Sequence, residues 1–148
     1  MSVLSWGKPK VEIGVSLAGA IALIFTPLPV IVDKTALLTT TKGAKVEAKG
    51  EGGEVIDTRV EKNAYSFACE LFVKKGDAKP IEDVDGTIAG RYSVRLTPED
   101  PTIAGWLMHN TSVSVEETWS SDQGQKLKYT FDGIKPAAGN ILVPYTQV

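Results

Sequence analysis

The chain has 148 residues, of which 43% are hydrophobic, and its 16 basic and 18 acidic side chains give a formal net charge of −2. Residues 1–148 therefore fit one domain with a single core. The near-neutral, interspersed charge lacks the basic face that a general nucleic-acid binder needs. The one cysteine, Cys69, excludes an internal disulfide.

The first predicted element is a strand over Lys8–Gly14. Val11 and Ile13 alternate there with charged neighbours, and Pro9 suits the start of a strand. Period-two alternation of this kind is typical of a strand with one buried face.

An uncharged stretch of 18 residues, Val15–Val32, follows. Pro27 and Pro29 limit the part that can be helical to about 12 residues, well short of the roughly 20 that span a bilayer. We therefore predict one short helix within Val15–Phe25 rather than a membrane span or an export signal. Its apolar surface is expected to be covered by a neighbouring subunit or another partner, since monomers rarely expose large apolar patches.

A strand rich in β-branched residues and a long hairpin are predicted next. The strand covers Val30–Thr41, and Lys42–Gly43 marks a turn. Ala44–Lys49 and Ile56–Val60 then alternate on either side of the flexible turn Gly50–Gly53. This hairpin has few apolar residues, so it needs neighbours for stability.

The clearest strand pattern lies over Ala64–Val73. Five alternate side chains form its apolar face, namely Tyr65, Phe67, Cys69, Leu71 and Val73. We interpret Cys69 on this face as a small hydrophobic residue and not as a nucleophile.

The second half of the chain continues the β pattern. Lys74–Gly90 is polar and broken, with room for at most a helical turn over Pro80–Val84. A strand over Arg91–Leu96 precedes a hairpin formed by Thr111–Trp119 and Gln125–Phe131. The predicted fold is mainly β, an antiparallel sandwich or barrel of about seven or eight strands with one short flanking helix.

Groups that could support catalysis or ligand binding are scarce. His109 is the single histidine, so a histidine-based metal cluster cannot form. The acidic run around Asp83 and Asp85 lacks the first and last carboxylates of a calcium loop, which favours a solvated acidic loop. The three tryptophans are far apart in sequence and are interpreted as core or interface residues, with Trp119 on the apolar face of its strand.

Several phrases of the sequence resemble those of small phage tail-tube proteins found in bacterial prophages. They extend along nearly the whole chain: Ser5–Gly14, Leu38–Gly43, Glu51–Glu54, Lys79–Gly86, Leu96–Asp100, Val113–Glu117, Lys128–Phe131 and Lys135–Pro136. The chain departs from the family pattern at Val15–Phe25, which is more apolar here.

The resemblance implies the tail-tube fold, which is shared with the inner tubes of injection and secretion systems. In that fold a β-barrel or sandwich with a flanking helix forms hexameric rings, and the stacked rings conduct DNA or effector proteins. The resemblance implies no catalysis and no cofactor. It also implies assembly in the bacterial cytoplasm, later incorporation into a virion tail or injection apparatus, and sheath, tape-measure or baseplate proteins as further partners. DNA would pass through the lumen without specific binding.

Three sets of residues are expected to mediate assembly. The turn at Lys42 and Gly43 and the hairpin tip are expected to bridge subunits or rings. The tip comprises Gly50, Glu51, Gly52, Gly53 and Glu54. The apolar side chains of Leu17, Ile21, Leu23 and Phe25 are expected to be buried between subunits or under a partner.

Two other functions remain open from the sequence. A monomeric β-sandwich binding module, carbohydrate-binding or adhesin-like, would present an exposed aromatic platform. A small β-barrel enzyme would need a cleft that brings His109 together with carboxylates.

Overall fold

A computed structural model of the chain describes residue 4 and residues 7–29, 31–32, 34–76 and 79–146. Over these residues the protein is built from antiparallel β-strands and contains no helix. The strands are β1 (Lys10–Ser16), β2 (Thr26–Pro27), β3 (Leu37–Thr41), β4 (Lys45–Lys49), β5 (Val55–Val60), β6 (Ala64–Phe72), β7 (Arg91–Thr97), β8 (Gly105–Ser120), β9 (Gly124–Gly133) and β10 (Leu142–Tyr145).

Eight of the strands form one sheet in the order β2-β1-β7-β8-β9-β6-β3, and β10 pairs with the first part of β8. The centre of the sheet is the long hairpin of β8 and β9, in which Val113 lies opposite Phe131 and Val115 opposite Tyr129. The remaining two strands, β4 and β5, form a separate two-stranded sheet. The mainly β, antiparallel prediction is therefore confirmed.

One hydrophobic core joins both ends of this strand order. It contains Val11 from β1 and Phe67 from β6, which lie near opposite edges of the sheet. The sheet must therefore curl so that its two halves face one another, an arrangement compatible with a β-sandwich. The rings of Phe67 and Trp106 meet edge to face with centroids 4.8 Å apart.

The helix predicted within Val15–Phe25 is wrong. The chain turns at Leu17–Ala20 instead, where the N–H of Ala20 donates to the carbonyl of Leu17 at 3.0 Å. Positive φ angles of 53° at Ala18 and 79° at Gly19 interrupt any helix at this turn. The hydrophobic run indicated burial, but its period did not distinguish a helix from an irregular loop.

The polar loop over residues 79–87 also contains no helical turn. Val84 and Thr87 form an isolated bridge, and the loop is anchored to the sheet by a hydrogen bond from the Tyr129 hydroxyl to the Ile81 carbonyl at 2.9 Å. Gly86 accepts a hydrogen bond from the N–H of Val115 at 3.2 Å. The sheet therefore orders this loop without a helix.

Other predicted elements differ in extent. Of the strand expected over Val30–Thr41, only β3 is formed, and Val30 and Asp33 lie outside the described residues. Trp119 is 73% exposed rather than on a buried face, because β8 and β9 extend beyond the core at that end. The short strand β10 follows the predicted Pro- and Gly-containing tail.

Candidate assembly surfaces

A β-hairpin, here called the arm, projects from the sheet between β3 and β6. It comprises residues 44–61, which include β4, β5 and the turn between them. Its strands pair only with each other, and every residue in both strands is exposed. The predicted hairpin is thus confirmed, and it contributes nothing to the core.

The arm is held together mainly by its own backbone pairing. Ala48 lies opposite Asp57, and the register shifts between Ala48 and Lys49, which marks a bulge. Glu47 forms ion pairs with Lys45 at 3.1 Å and with Lys49 at 3.9 Å. Exposed pairs of this kind contribute at most about 1 kcal/mol, and an isolated two-stranded hairpin is only marginally stable in water. A partner surface would supply the stability that the arm lacks.

The root of the arm is a tightly built junction. The N–H of Gly43 donates to the side-chain oxygen of Asn63 at 3.0 Å, and the N–H of Glu61 donates to the Ala44 carbonyl at 2.8 Å. A Cβ atom at position 43 would collide with the backbone carbonyl of Glu61. Glycine at position 43 therefore allows the two chains to come together where the arm leaves the sheet.

The tip of the arm presents two carboxylates on a glycine turn. Gly52 and Gly53 have φ angles of 92° and 87°, a region that favours glycine. The N–H of Gly50 donates to the Glu54 carbonyl at 2.8 Å and closes the turn. Immediately beyond the turn, the side chains of Val55 and Ile56 are 50% and 74% exposed.

A second candidate surface is the apolar loop between β1 and β2. Four of its side chains are largely uncovered: Leu17 is 71% exposed, Ile21 42%, Leu23 93% and Ile24 77%. Val15, at the end of β1, is 58% exposed. Removing such side chains from water would stabilise an assembly by about 25 cal/mol per Å² of apolar area.

This loop is fixed against the sheet although its apolar side chains point outward. The N–H of Ala22 donates to the hydroxyl of Ser93 at 2.9 Å, and Gly19 accepts a hydrogen bond from the N–H of Ala137 at 2.9 Å. A Cβ atom at Gly14 would collide with the carbonyl of Ile24. The exposed side chains are therefore held on an ordered backbone.

Phe25 differs from its neighbours because it already has a partner within the chain. The Arg95 guanidinium lies 4.0 Å from the centroid of the Phe25 ring, and Arg95 also forms a two-pronged ion pair with Glu12 at 3.1 Å. Phe25 is half-buried as a result. Its predicted burial by a subunit remains a prediction.

The outer edge of the sheet at β3 is a third candidate surface. β3 pairs with β6 on one side and ends the strand order on the other. Its five residues, Leu37–Thr41, include no charged residue and no proline. Edge strands usually contain charged residues or proline, which prevent pairing with another chain. The absence of both from β3 leaves this edge open to pairing.

A cleft of about 1090 Å³ opens between the starts of β1 and β3, the β2–β3 connection and the end of β7. Its floor is apolar and includes Val11, Leu38, Phe67, Leu96 and Trp106. The volume slightly exceeds the range usual for small-molecule sites, about 300–1,000 Å³.

The rim of this cleft is basic. Lys8, Lys10 and Lys34 line it and are exposed, and no acidic residue is among the described lining residues. The carboxylate of Glu99 adjoins Gly7, one of the residues that line the cleft. Sequence reasoning missed this cleft because its lining comes from segments far apart in the chain; the lysines flanking apolar runs were its one visible signal.

Cys69 and Asp83, which the sequence offered as candidates for catalysis or metal binding, are a buried thiol and a carboxylate hydrogen-bonded within its own loop. Burial raises the pKa of the Cys69 thiol to about 12, so the reactive thiolate is strongly disfavoured at neutral pH. Asp83 accepts hydrogen bonds from the N–H of Gly86 at 2.8 Å and from Lys79 at 3.0 Å, and these contacts lower its pKa. Among the described residues, no three His, Cys, Asp or Glu side chains cluster as metal ligands.

The two described tryptophans do not share a surface. Trp106 lies near the start of β8 and packs on Phe67, whereas Trp119 lies at the other end of the same strand. Trp6 lies outside the described residues. The aromatic platform expected of a sugar-binding module is therefore not formed by Trp106 and Trp119.

The predicted assembly residues occupy separate places in the fold. Lys42 and Gly43 lie at the arm root, and residues 50–54 form its tip. Leu17, Ile21 and Leu23 lie beside β1 and β2, at the opposite end of the strand order.

No protein-family model matches the chain, and no curated protein matches it. Within the part of the chain that the structure describes, there is no helix that could cross a membrane.

Proposed function

We propose that this protein is a structural subunit of a phage or prophage tail tube, or of the related inner tube of an injection system. Its copies form hexameric rings that stack, and it has no catalytic role. The observation that carries this proposal is the arm: two paired strands with every residue exposed and no share in the core. A segment built in this way needs a partner, and another copy of the chain is always at hand during assembly.

The unpaired edge at β3 supports the same proposal. In a ring, a strand of the neighbouring copy would pair with Leu37–Thr41 and continue the sheet from one subunit to the next. The arm, which follows directly after β3, would then extend towards a neighbouring subunit or ring. The exposed apolar loop at the opposite end of the strand order would be buried by the same assembly.

The remaining parts of the proposal follow from the tube itself. Subunits accumulate in the bacterial cytoplasm before they enter a virion tail or an injection apparatus. Sheath, tape-measure or baseplate proteins contact the tube, and DNA moves through its lumen without specific binding. A net charge of −2 suits this passage, because like charge limits adhesion to DNA.

Truncation of the arm tests the proposal. Residues 44–60 are replaced by a two-residue Gly-Ser linker, which the close approach of Gly43 and Glu61 at the root permits. We expect this variant to fold with a circular dichroism spectrum of β type and an almost unchanged Tm, yet to form no rings or tubes by negative-stain electron microscopy. A matched control changes Ser121, Asp122 and Gln123 to glycine, in an exposed turn distant in sequence from the arm.

The control variant should assemble as the unaltered protein does. Normal tubes from the truncated protein would contradict the role of the arm, and with it the observation on which the proposal rests. A truncated protein that fails to fold would show that the arm stabilises the domain, which would also contradict this account.

A further inference from the structure

We propose that the lysine-rimmed cleft is the receptor for the arm tip of a second copy of the chain. This inference rests on the proposed function and names the contact by which one subunit holds the next. The cleft and the tip are complementary in charge and in apolar character, and among the described residues the charged side chains of neither one form an ion pair.

In a single copy, the cleft is lined by segments other than the arm. Sixteen of the described residues line it, and none of these lies between residues 39 and 66. The arm of the same chain is therefore not its occupant. Phe67 is almost fully buried at the floor, whereas Trp106 is only half-buried, and the volume of about 1090 Å³ slightly exceeds what a small ligand usually fills.

The tip and the rim carry opposite charges. The tip carries Glu51 and Glu54, both exposed, within five residues that are otherwise glycine. The rim carries three exposed lysines, Lys8, Lys10 and Lys34, that form no ion pair among the described residues. Opposite charges arranged in this way steer association and fix its register.

The tip and the cleft also both present apolar side chains. Val55 and Ile56 follow the tip directly and are 50% and 74% exposed. Three residues of the apolar floor, Leu38, Leu96 and Trp106, are only half-buried and so leave apolar area open to a partner. When the tip carboxylates contact the lysines of the rim, Val55 and Ile56 can therefore approach the apolar floor. The contact would then have an apolar centre and a charged rim, as protein interfaces usually do.

The tip and the cleft are different surfaces, so their contact is heterologous. When the tip of one copy binds the cleft of a second, the cleft of the first copy and the tip of the second remain free to bind further copies. Heterologous contacts that do not close produce open-ended filaments. Such a contact suits the stacking of rings, in which each copy binds one neighbour and is bound by another.

Disulfide trapping tests this contact with full-length protein. One preparation carries Glu54→Cys and the other Lys34→Cys; the native Cys69 is buried and does not compete. We expect rapid formation of a mixed covalent dimer under mild oxidation when the two are combined, at least tenfold faster than when Glu54→Cys is combined with Lys75→Cys. Lys75 is an exposed lysine outside the cleft and serves as the matched control.

Charge reversal provides the second arm of the test. Glu51→Lys with Glu54→Lys, or Lys10→Glu with Lys34→Glu, should each raise the concentration at which assembly begins by about tenfold or more, since like charges would then face one another. Combining all four changes in one chain should restore assembly. The control pair Lys74→Glu with Lys75→Glu changes the net charge equally and should have little effect.

The outcomes separate this inference from the proposed function. Tubes that form normally in all charge variants, with no preferential mixed dimer, would overturn the tip–cleft contact and leave the tube function in place. Detection by native mass spectrometry of a small anionic amphiphile bound to the protein, together with the absence of a mixed dimer, would also overturn the tip–cleft contact. A mixed dimer without any rings or tubes would support the contact and contradict the tube.

Discussion

The backbone N–H of Gly43 donates a hydrogen bond of 3.0 Å to the side-chain oxygen of Asn63 across the root of the arm. This bond joins the residue that enters the arm to one that follows it. Beside it, the backbone of Gly43 approaches that of Glu61 more closely than a side chain at position 43 would allow. The direction in which the arm leaves the sheet is thus fixed at a few positions, whereas the rest of the arm is exposed.

The first prediction concerns this root. Asn63→Ala removes the acceptor for the Gly43 N–H and should lower the protection of arm amides from hydrogen exchange by about fivefold, equivalent to roughly 1 kcal/mol. Amides of β8 and β9 should keep their protection, because the arm shares no core with them. Asn63→Asp retains an acceptor oxygen and is the matched control. Equal losses of protection in the arm and in the β8–β9 hairpin would contradict the independence of the arm.

The second prediction concerns the exposed apolar loop. Leu23→Ser with Ile24→Ser should leave the free energy of unfolding of the monomer within about 0.5 kcal/mol of its original value, because exposed substitutions change stability little. The same change should weaken assembly, measured by sedimentation velocity. By contrast, Leu71→Ser places a hydroxyl in the core, where the leucine is 1% exposed, and should cost several kcal/mol. Assembly that is indifferent to the double change would show that this loop is not an interface.

The third prediction concerns the pH dependence of stability. Burial raises the pKa of Cys69 to about 12, above the value near 8.5 usual for a free thiol. The neutral thiol is favoured by folding, so its contribution is fully present below about pH 8.5 and is lost as pH rises towards 12. Over that window the free energy of unfolding should fall by up to about 1.4 kcal/mol per pH unit from this group.

Chemical denaturation of the native protein and of Cys69→Ala at several pH values checks this. The variant should be less stable at pH 7 but should show a shallower decline at alkaline pH. The decline that remains would include Tyr129, whose pKa is also raised by burial. Identical slopes in the two proteins, or rapid modification of Cys69 by a thiol reagent in the native state, would contradict the burial of the thiol.

The fourth prediction concerns the loop over residues 79–87. Tyr129→Phe removes the hydroxyl that donates to the Ile81 carbonyl and should destabilise the protein by about 1–2 kcal/mol, since a buried acceptor is left unpaired. Proteolysis within the loop should become faster. Tyr65→Phe, at a half-buried tyrosine in β6, is the matched control and should have a smaller effect. A neutral result for Tyr129→Phe would show that other contacts anchor the loop.

Much of the sheet could be predicted because its strands have one solvent-exposed face and one buried face. The alternation over residues 64–73 correctly placed Phe67, Cys69 and Leu71 in the core. The same reasoning found the arm, whose glycine turn and charged strands leave little to bury. These features depend on residues close together in sequence, where the period of two is visible.

The apolar run near Leu23 shows where local patterns are insufficient. Its hydrophobicity predicted cover by a partner, and its side chains are indeed uncovered in the single chain, but its backbone is a loop and not a helix. The contacts that shape it come from Ser93 and Ala137, which are distant in sequence. The cleft likewise arises only when β1, β3, β6, β7 and β8 are brought together.

The measurement that tests the central claim most directly is electron microscopy of the purified full-length protein at rising concentration, with class averages examined for symmetry. The account predicts sixfold rings with a central channel, and tubes in which such rings repeat along the axis. Monomers alone at every concentration, even with tubes of a related protein supplied as seeds, would contradict it.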